Sequence, residues 1–371
     1  MIILAILSLF ACAWLLAVHG RFWQPGPMLA QGRPAESPPV AVVVPARDEA
    51  PFIADSLGSL LAQDYAGELR VILVDDGSTD ETGAIARSLS DPRLTVLSGA
   101  PRPAGWTGKL WAVSQGIADA RSEEFVLLTD ADIVHDRGHL AALMAEAQRT
   151  DADLVSEMVR LSCASAAERA LIPAFVFFFQ LLYPFAWVNN PRHRTAAAAG
   201  GTMLVRRRAL DRIGGIAAIR GALIDDVALA AAVKQGGRIW LGHTTLARSI
   251  RPYPRAAEIW RMITRSAYVQ LQRSPILLAA CIIGMVLVWI VPPVAALDGH
   301  GAARVIGATA WAGLAGSYLP SLRRYRLSPW RAPLLPLVAV FYMAATIGSA
   351  VNHHLGRGVA WKGRAYQGAG A

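Results

Sequence analysis

The chain has 371 residues, of which 54% are hydrophobic and only 17% are charged. Soluble domains usually carry about 25% charged residues, so this composition argues against a wholly soluble protein and for membrane segments. The formal net charge is +9. A basic balance suits nucleic acid or an anionic lipid surface, and we favour lipid because many Lys and Arg residues flank apolar runs. We therefore predict a membrane partner and no nucleic acid.

The chain begins with an uncharged apolar run, which Arg21 and Arg33 follow. The run lacks the preceding positive charge and the small-residue cleavage site of a signal peptide, so we predict an uncleaved membrane anchor at 1–20. A Pro-rich linker follows at 21–39. Three later apolar runs are near the roughly 20 residues that a spanning helix needs. They predict a transmembrane region at 275–351 and a basic tail after it, with runs at 275–297, 305–319 and 333–351 and the tail at 352–371.

Basic residues beside the anchor set its predicted orientation. By the positive-inside rule, Arg21, Arg33 and Arg47 lie in the cytoplasm, and the large middle region of the chain then lies there too. The basic residues of the tail disagree with a count of four spans, so we expect one apolar run to be re-entrant or interfacial. Those tail residues are Arg357, Lys362 and Arg364.

The first part of the middle region alternates β-branched apolar runs with segments of helical spacing. This alternation predicts an α/β domain with a mostly parallel sheet and flanking helices, in which ligands bind beyond the carboxyl ends of the strands. The predicted strands are 40–44, 69–74, 94–97 and 124–129. The predicted helices are 48–63, 82–89 and 109–120.

The second predicted strand ends in an acidic pair, Asp75 and Asp76, followed by Gly77. A carboxylate there can accept hydrogen bonds from a ribose hydroxyl or a base N–H, and Gly77 permits a tight turn. The alternative is that Ser78 or Thr79 caps the following helix, and we expect this capping to occur as well. Asp75 and Asp76 are therefore candidate donor-binding residues.

The fourth predicted strand ends in a second acidic cluster, Asp130-Ala-Asp132. Mg²⁺ in proteins takes one or two carboxylates together with phosphate oxygens of the substrate, so two aspartates suffice. We expect Asp132 to reach a divalent cation, Mg²⁺ or Mn²⁺. We expect Asp130 to face the sugar or the ribose and to serve as the second carboxylate of the metal site. The alternative is a solvated turn.

A third acidic pair, Asp225 and Asp226, opens a segment of helical spacing. Adjacent carboxylates among apolar residues and a bound phosphate raise the pKa of one of them, which suits a general base for an acceptor hydroxyl. The alternative is a helix N-cap with a favourable dipole interaction, and the pair by itself favours that alternative.

Lys109 lies in a loop bracketed by glycines, Gly105-Trp-Thr-Gly-Lys109. A lysine there can meet a diphosphate, although the spacing is not that of a Walker A loop. The alternative is an ordinary surface lysine, which is the more frequent case.

Together these motifs resemble, in order and spacing, those of the family 2 inverting glycosyltransferases with the GT-A fold. The resemblance implies a nucleotide-diphosphate-sugar transferase domain at 40–274, a UDP-sugar donor and a divalent cation. It implies that Asp226 is the base and that Gly200 and Gly201 lie on the acceptor side. The family's opening strand and loop resemble Val43-Val-Pro-Ala-Arg-Asp-Glu49. That match assigns three more residues to donor binding: Pro45, Arg47 and Glu49.

Within that family, the chain resembles the hopene-associated glycosyltransferases of bacterial hopanoid biosynthesis, which implies a hopanoid-pathway lipid as acceptor. Polymer synthases of the family carry Q-x-x-R-W near the membrane. Here Gln270-Leu-Gln-Arg273 is followed by Ser274, so the tryptophan is missing, and we assign Gln270 and Arg273 to the acceptor side. The segments that carry the resemblance are Gly105-Trp-Thr-Gly-Lys-Leu-Trp-Ala112, Arg251-Pro-Tyr253, Arg265-Ser-Ala-Tyr268 and Trp361-Lys-Gly-Arg364.

An aromatic-rich run at 170–188 contains Pro173 and Pro184, which we expect to interrupt it, and basic residues follow. Such a run suits the headgroup boundary of a membrane, so we predict an interfacial segment near the lipid acceptor. The alternative is a spanning or core helix.

The prediction is therefore a multi-pass glycosyltransferase of the inner (cytoplasmic) membrane, with its catalytic domain facing the cytoplasm. It would move a sugar from a nucleotide-diphosphate sugar to a lipid. Three alternatives stay open: a polyprenyl-phosphate or other glycolipid glycosyltransferase, a processive polysaccharide synthase, and an inactive membrane scaffold. The intact acidic motifs argue against the last. His243 is either an added metal ligand or a structural histidine, and we favour the second.

Overall fold

The computed structural model describes residues 1–120, 123–356, 360–361 and 364–365. The chain folds as two units. We call Pro27–Ser162 with Trp187–Arg251 the sheet unit. We call Met1–Gly26, Cys163–Ala186 and residues 252–356 the helical unit. The predicted basic tail carries Arg357 and Lys362, which lie outside the described residues.

Among the described residues, the sheet unit contains one eight-stranded sheet with the order β3-β2-β1-β4-β7-β6-β8-β5. Six strands run in one direction, while β5 and β7 run against them. The predicted mostly parallel sheet is therefore confirmed. The strands are β1 (Val40–Ala46), β2 (Leu69–Asp75), β3 (Leu94–Ser98), β4 (Phe125–Thr129), β5 (Ile133–His135), β6 (Leu154–Arg160), β7 (Thr202–Arg206) and β8 (Ile239–Ser249).

The helices alternate with the strands of the sheet and then follow one another from α10 to α15. They are α1 (Ile2–Ala17), α2 (Ala50–Leu61), α3 (Thr82–Ser88), α4 (Gly108–Asp119), α5 (His139–Thr150), α6 (Ala166–Leu182), α7 (Phe185–Val188), α8 (Arg207–Arg212), α9 (Asp225–Lys234), α10 (Ala256–Thr264), α11 (Ala267–Gln270), α12 (Pro275–Met285), α13 (Val291–Asp298), α14 (Ala302–Arg324) and α15 (Leu335–His354). Two short strands, β9 (Ala360–Trp361) and β10 (Arg364–Ala365), pair antiparallel.

The core of the sheet unit follows from the strand sequences. Every residue of β1 is buried, and its side chains alternate between the two faces of the sheet. Val42 and Val44 join the large apolar cluster that α2 and α5 cover. Ala41 packs on the other face with Ala112 of α4. Helices therefore cover both faces, as a sheet of mostly parallel strands requires.

α4 approaches the sheet closely because of one glycine. A Cβ on Gly116 would lie well inside van der Waals distance of Val43 Cγ1 and 3.2 Å from Val74 Cγ2. Only glycine leaves room for the helix backbone at this distance from β1 and β2. This close packing fixes the height at which the first turn of α4 stands over the sheet.

Two local predictions in this unit need correction. The helix predicted at 48–63 begins at Ala50, because Asp48 adopts a left-handed φ of 50° and Pro51 suits the first helical turn. Ser78 and Thr79 do not cap α3. The Ser78 hydroxyl accepts from the backbone N–H of Asp48, and the Thr79 hydroxyl and backbone N–H both donate to the Asp48 carboxylate. Both hydroxyls are therefore used to join two loops.

In the helical unit, among the described residues, two helices are long and apolar enough to cross a membrane by length and composition. One is the continuous helix Pro275–Asp298, in which α12 and α13 are joined by a π-helical stretch at Val286–Ile290. The other is Pro329–His354, which ends in α15. The runs at 1–18 and 305–319 are also helical, as α1 and α14, but α1 has only 16 residues. Membrane association is thus weakly indicated.

The aromatic run at 170–188 differs from its prediction. α6 passes through Pro173 without a break, and the interruption comes only at Pro184. Proline removes the donor for the carbonyl four residues earlier, which is that of Arg169. The Arg331 guanidinium donates to this carbonyl instead, at 3.4 Å. The interfacial position of this segment stays a prediction.

Candidate active site

The predicted site residues of the sheet unit meet at one edge of the sheet. β1, β2 and β4 end at this edge, so Pro45, Asp75 and Asp130 come together there. β7 runs antiparallel to β4, with Thr129 opposite Thr202, so Gly200 and Gly201 enter the sheet at the same edge. A cavity at this edge has an apolar wall from the neighbouring helices. Among its lining residues are Pro45, Lys109, Asp130, Gly200 and Asp225.

Lys109 bridges two of the acidic clusters. Thr107 caps α4, its side chain accepting from the Leu110 backbone N–H, and this places Lys109 in the first turn. The Lys109 amine lies 2.9 Å from Asp130 Oδ1 and 3.0 Å from Asp225 Oδ2. Burial opposes its charge, but the surrounding carboxylates outweigh burial and raise the pKa of Lys109. Lys109 is therefore a permanent cation of the cavity and not a surface lysine.

Asp226 accepts two backbone hydrogen bonds beside the cavity. Its Oδ2 accepts from the Gly200 backbone N–H at 2.8 Å, and its Oδ1 accepts from the Val227 N–H at 2.8 Å. Burial, with a further contribution from the Asp225 charge, raises the pKa of Asp226 to about 7, against the opposing effect of Lys109. A Cβ at position 200 would lie 3.2 Å from Asp226 Oδ2, a tight contact that glycine avoids. Neither aspartate is the N-cap of α9, which is Ile224.

Arg251, just beyond the end of β8, holds the other acidic residues of this edge. Its Nε donates to Asp132 Oδ2 at 2.6 Å, and its Nη2 donates to Glu49. The guanidinium also lies over the Phe52 ring, 4.7 Å from the ring centroid. Burial opposes the charge of Arg251, but Asp132 and Glu49 outweigh burial and raise its pKa. Asp132 and Glu49 are thus fixed beside the cavity.

The carboxylates of this edge outnumber its cations. Lys109 and Arg251 face a larger set of acidic side chains, which is Glu49, Asp130, Asp132, Asp225 and Asp226. Burial raises the pKa of Asp130 in spite of Lys109. Among the described residues, no three His, Cys, Asp or Glu side chains converge as a complete metal-ligand set. Asp130 and Asp132 still fit a hard cation, because such a cation takes few carboxylates and completes its shell with phosphate oxygens.

The turn after β2 is held by Arg47. Its Nη1 donates to the backbone carbonyls of Asp76, at 2.5 Å, and of Gly77, at 3.0 Å. Asp75 Oδ1 accepts from the Ser78 backbone N–H at 2.9 Å. Asp76 is buried, with 2% of its surface exposed, whereas Asp75 is only partly buried. Arg47 therefore braces the turn, and Asp75 is the carboxylate that stays accessible.

The predicted acceptor-side residues fall in both units. Gly200 and Gly201 belong to the sheet unit, whereas Gln270 and Arg273 belong to the helical unit. Gln270 Oε1 accepts from the Tyr183 hydroxyl at 2.6 Å, and Arg273 is exposed. His243 is buried in β8, and its main chain pairs with the chain at 27–29.

Sequence reasoning missed a buried polar chain behind β4, formed by Thr129, His135, His139 and Glu157. It also took Arg251 only as part of a family resemblance. The partners of Arg251 lie more than 100 residues earlier in the chain, so local patterns carry no signal for them. The two histidines four residues apart, just after Asp130-Ala-Asp132, were a signal that could have been followed.

The chain is similar in sequence to known glycosyltransferases. The family described as Glycosyl transferase family 2 matches residues 41–214. An N-acetylglucosaminyltransferase of Bradyrhizobium elkanii is 34% identical over 135 residues, which are 35% of this chain and 70% of that protein. Glycosyltransferase GlyG of Streptococcus pneumoniae is 31% identical over 118 residues, which are 31% of this chain and 37% of that protein.

A solved structure of similar fold is that of a mannosyltransferase from Pyrobaculum calidifontis in complex with GDP-Man and Mn²⁺. It matches 93% of this chain and covers 98% of its own, with a TM-score of 0.57 and 20% identity. The sheet therefore has a GT-A-like α/β fold with an acidic cavity at the carboxyl ends of its strands. The chain belongs to glycosyl transferase family 2.

Proposed function

We propose that this chain is an inverting glycosyltransferase that moves a sugar from a nucleotide-diphosphate sugar, a UDP-sugar, onto a membrane lipid of the hopanoid pathway. The observation that carries the proposal is Asp226. It is a carboxylate with a raised pKa, held by the Gly200 N–H beside a cavity that Lys109 and Asp130 line. A general base works best when its pKa lies near the working pH.

The reaction is a single displacement. Asp226 takes the proton of the acceptor hydroxyl, and the hydroxyl oxygen forms a bond to the anomeric carbon. The bond from that carbon to the diphosphate oxygen breaks on the opposite face, and the electron pair leaves with the nucleoside diphosphate. Attack opposite to the leaving group inverts the configuration of the sugar.

The other residues of the site bind and orient. Asp75, the accessible carboxylate after β2, suits a ribose hydroxyl or a base N–H. Lys109 holds Asp225 and Asp130 at fixed positions, and its positive charge favours the departing diphosphate. Asp132 and Asp130 would hold a divalent cation, Mg²⁺ or Mn²⁺, which when bound neutralises the charge of the leaving group.

The lipid part of the proposal rests on the helical unit. Pro275–Asp298 and Pro329–His354 expose large apolar side chains, such as Ile276 at 80% and Trp330 at 85% exposure. Apolar surface on long uncharged helices suits a bilayer, and the net charge of +9 suits anionic lipid. The hopanoid part rests on the sequence resemblance alone.

The test is a transfer assay on the full chain in membranes. Membranes containing the protein are incubated with a panel of nucleotide sugars, with and without EDTA, and the lipid extracts are analysed by mass spectrometry. We expect a new hexosylated hopanoid from one UDP-sugar, no such product in membranes that lack the protein, and no product in EDTA.

Each part of the proposal can fail separately. A sugar found only on polyprenyl phosphate would overturn the hopanoid acceptor and leave the transferase. Full activity in EDTA would overturn the cation. If no nucleotide sugar is consumed under any of these conditions, the proposed activity is wrong.

A further inference from the structure

A chain of buried hydrogen bonds runs behind the cavity of the sheet unit. Thr129 Oγ1 lies 3.2 Å from His135 Nε2, His135 Nδ1 lies 2.9 Å from His139 Nδ1, and His139 Nε2 lies 2.8 Å from Glu157 Oε1. All of these residues are at least 96% buried. We call Thr129, His135, His139 and Glu157 the buried relay. Buried titratable groups are costly, so their presence in the interior of the sheet unit needs a reason.

The hydrogen positions of the buried relay follow from counting donors. The Thr129 hydroxyl has one hydrogen, which it donates to the Gly201 carbonyl at 2.8 Å. Its contact with His135 therefore requires a hydrogen on His135 Nε2. Burial and the neighbouring His139 keep the pKa of His135 well below its ordinary value, so this ring is neutral and its Nδ1 accepts. His139 must then carry its hydrogen on Nδ1.

The far end of the buried relay is Glu157 on β6. Its Oε1 faces His139 Nε2, while its Oε2 has no hydrogen-bond partner among the described residues. The pair of His139 and Glu157 therefore holds one shared proton, either as imidazolium with carboxylate or as imidazole with carboxylic acid. In both forms His139 donates from Nδ1 to His135, and His135 donates from Nε2 to Thr129.

The near end reaches the base through two glycines. The Gly201 carbonyl accepts from Thr129 and also from the Asp130 backbone N–H at 3.4 Å. One residue earlier, the Gly200 N–H donates to Asp226 Oδ2 at 2.8 Å. A glycine backbone adopts many conformations. The position of Gly200 therefore depends on the hydrogen bonds that hold the adjoining Gly201. The Thr129 hydroxyl thus binds the residue next to Gly200, whose N–H holds Asp226.

We propose that the buried relay is a set of positioning residues, in which Glu157, His139, His135 and Thr129 orient the Gly200–Gly201 turn and thereby hold Asp226 in place for proton abstraction. The inference rests on the proposed function, because it assumes that Asp226 is the base. It assigns a role to side chains that never touch either substrate.

The chain offers a matched pair of variants. Thr129→Val keeps the shape of the side chain and removes its hydroxyl. Thr202→Val makes the same change at the residue that pairs with Thr129 on the neighbouring strand β7. The Thr202 hydroxyl is equally buried but has no hydrogen-bond partner among the described residues. Thr129→Ser returns the hydroxyl. The three variants separate loss of the hydrogen bond from the general effect of a substitution in this sheet.

We expect Thr129→Val to lower kcat by roughly 10- to 100-fold, as small displacements of catalytic groups do, with donor KM nearly unchanged. The Gly200 N–H favours the charged form of Asp226, so loosening it should move the rising limb of the pH profile of kcat to higher pH. Thr129→Ser should recover most of kcat, and Thr202→Val should keep the wild-type values. Unchanged kcat and pH profile in a folded Thr129→Val, or equal losses in both valine variants, would overturn the proposal.

A second measurement does not depend on activity. In the full chain labelled with ¹⁵N-histidine, His135 should be neutral with its hydrogen on Nε2 across the neutral pH range, and its signal should shift in Thr129→Val but not in Thr202→Val. A His135 ring protonated on Nδ1 instead would refute the relay. If the wild-type protein transfers no sugar while these signals appear as expected, the proposed function fails and the arrangement of the relay stands.

Discussion

At the scale of single residues, the two aspartates at the start of α9, Asp225 and Asp226, have different partners. Adjacent residues of a helix point about 100° apart, so the two carboxylates cannot face one hydroxyl. Asp225 pairs with the Lys109 amine, whereas Asp226 accepts from Gly200 and has the raised pKa. In the proposed mechanism Asp225 therefore orients Lys109, and Asp226 takes the proton.

This division predicts unequal effects of two similar substitutions. Asp226→Asn keeps the shape and can still accept from Gly200, but it cannot take the proton, so transfer should fall by about 10²–10⁴-fold with near-normal donor affinity. Asp225→Asn should lose less. Calorimetric donor binding beside a transfer assay checks both variants. A dead Asp225→Asn would exchange the two roles, and losses below about tenfold in both would place the base elsewhere.

The same prediction has a pH dependence. A general base must be deprotonated, and burial with Asp225 keeps the proton on Asp226 up to about pH 7. The transfer rate of the wild-type protein should therefore rise as pH increases through about 7 and then level off. The rate of Asp226→Asn should lack this rise.

At the scale of elements, the site depends on how closely helices approach the sheet. Gly116 and Gly58 both lie inside helices of the sheet unit, and their surroundings differ. Gly116 of α4 faces Val43 and Val74 so closely that a Cβ would overlap, whereas nothing lies within 4 Å of a Cβ on Gly58 of α2. One glycine is required by packing, and the other only weakens its helix.

Alanine at the two positions should therefore have opposite effects. Gly58→Ala should stabilise the protein by about 1 kcal/mol, because alanine is the better helix former. Gly116→Ala should destabilise it by about 1–3 kcal/mol through overpacking, and should lower transfer because α4 carries Lys109. Thermal unfolding of both variants measures this contrast. A Gly116→Ala protein as stable as Gly58→Ala would contradict the packing described here.

Asp80 shows a second kind of connection between elements. Its carboxylate accepts from the first backbone N–H of α2, at Ala50, and from that of α3, at Thr82, both at 3.0 Å. These hydrogen bonds, with the Thr82 hydroxyl, outweigh burial and lower the pKa of Asp80. The Asp80 carboxylate thus accepts from the first N–H of both helices, and the partial positive charges of the two helix N-termini stabilise its negative charge.

At the scale of the whole molecule, the chain joins an acidic cavity to a set of apolar helices within a basic sequence. The cavity belongs to the sheet unit, and the exposed apolar residues belong to the helical unit and include Ile276 and Trp330. A donor that is made in the cytoplasm would reach the cavity only if the sheet unit faces that side.

Cysteine labelling tests this orientation. In a variant whose own cysteines are replaced, Ala35→Cys in the linker should resist an impermeant thiol reagent in intact cells and react after permeabilisation. Ile3→Cys, at the predicted outer end of the anchor and 71% exposed, should react in intact cells. The opposite labelling pattern would reverse the orientation. The replaced residues are Cys12, Cys163 and Cys281.

The parts of this fold that the sequence predicts are those encoded locally. The apolar runs that became β1, β2 and β4 and the acidic residues after them are visible at short range, because a buried strand needs a continuous apolar run. The pairing of β7 with β4 and of β8 with β6 depends on residues far apart in the chain. The same holds for the contact of Arg251 with Asp132, 119 residues away, and for the contact of His139 with Glu157 in the buried relay.

The carboxylates at the cavity edge of the sheet outnumber the cations beside them, so this edge carries uncompensated negative charge. Lys109 and Arg251 are already paired with carboxylates, and the negative charges of Asp132 and Asp225 still repel that of Asp130. A divalent cation bound at this edge would relieve that repulsion, and it would bind only the folded state, in which the carboxylates lie together. Folding and cation binding would therefore be thermodynamically linked, and the bound cation would raise the free energy of unfolding.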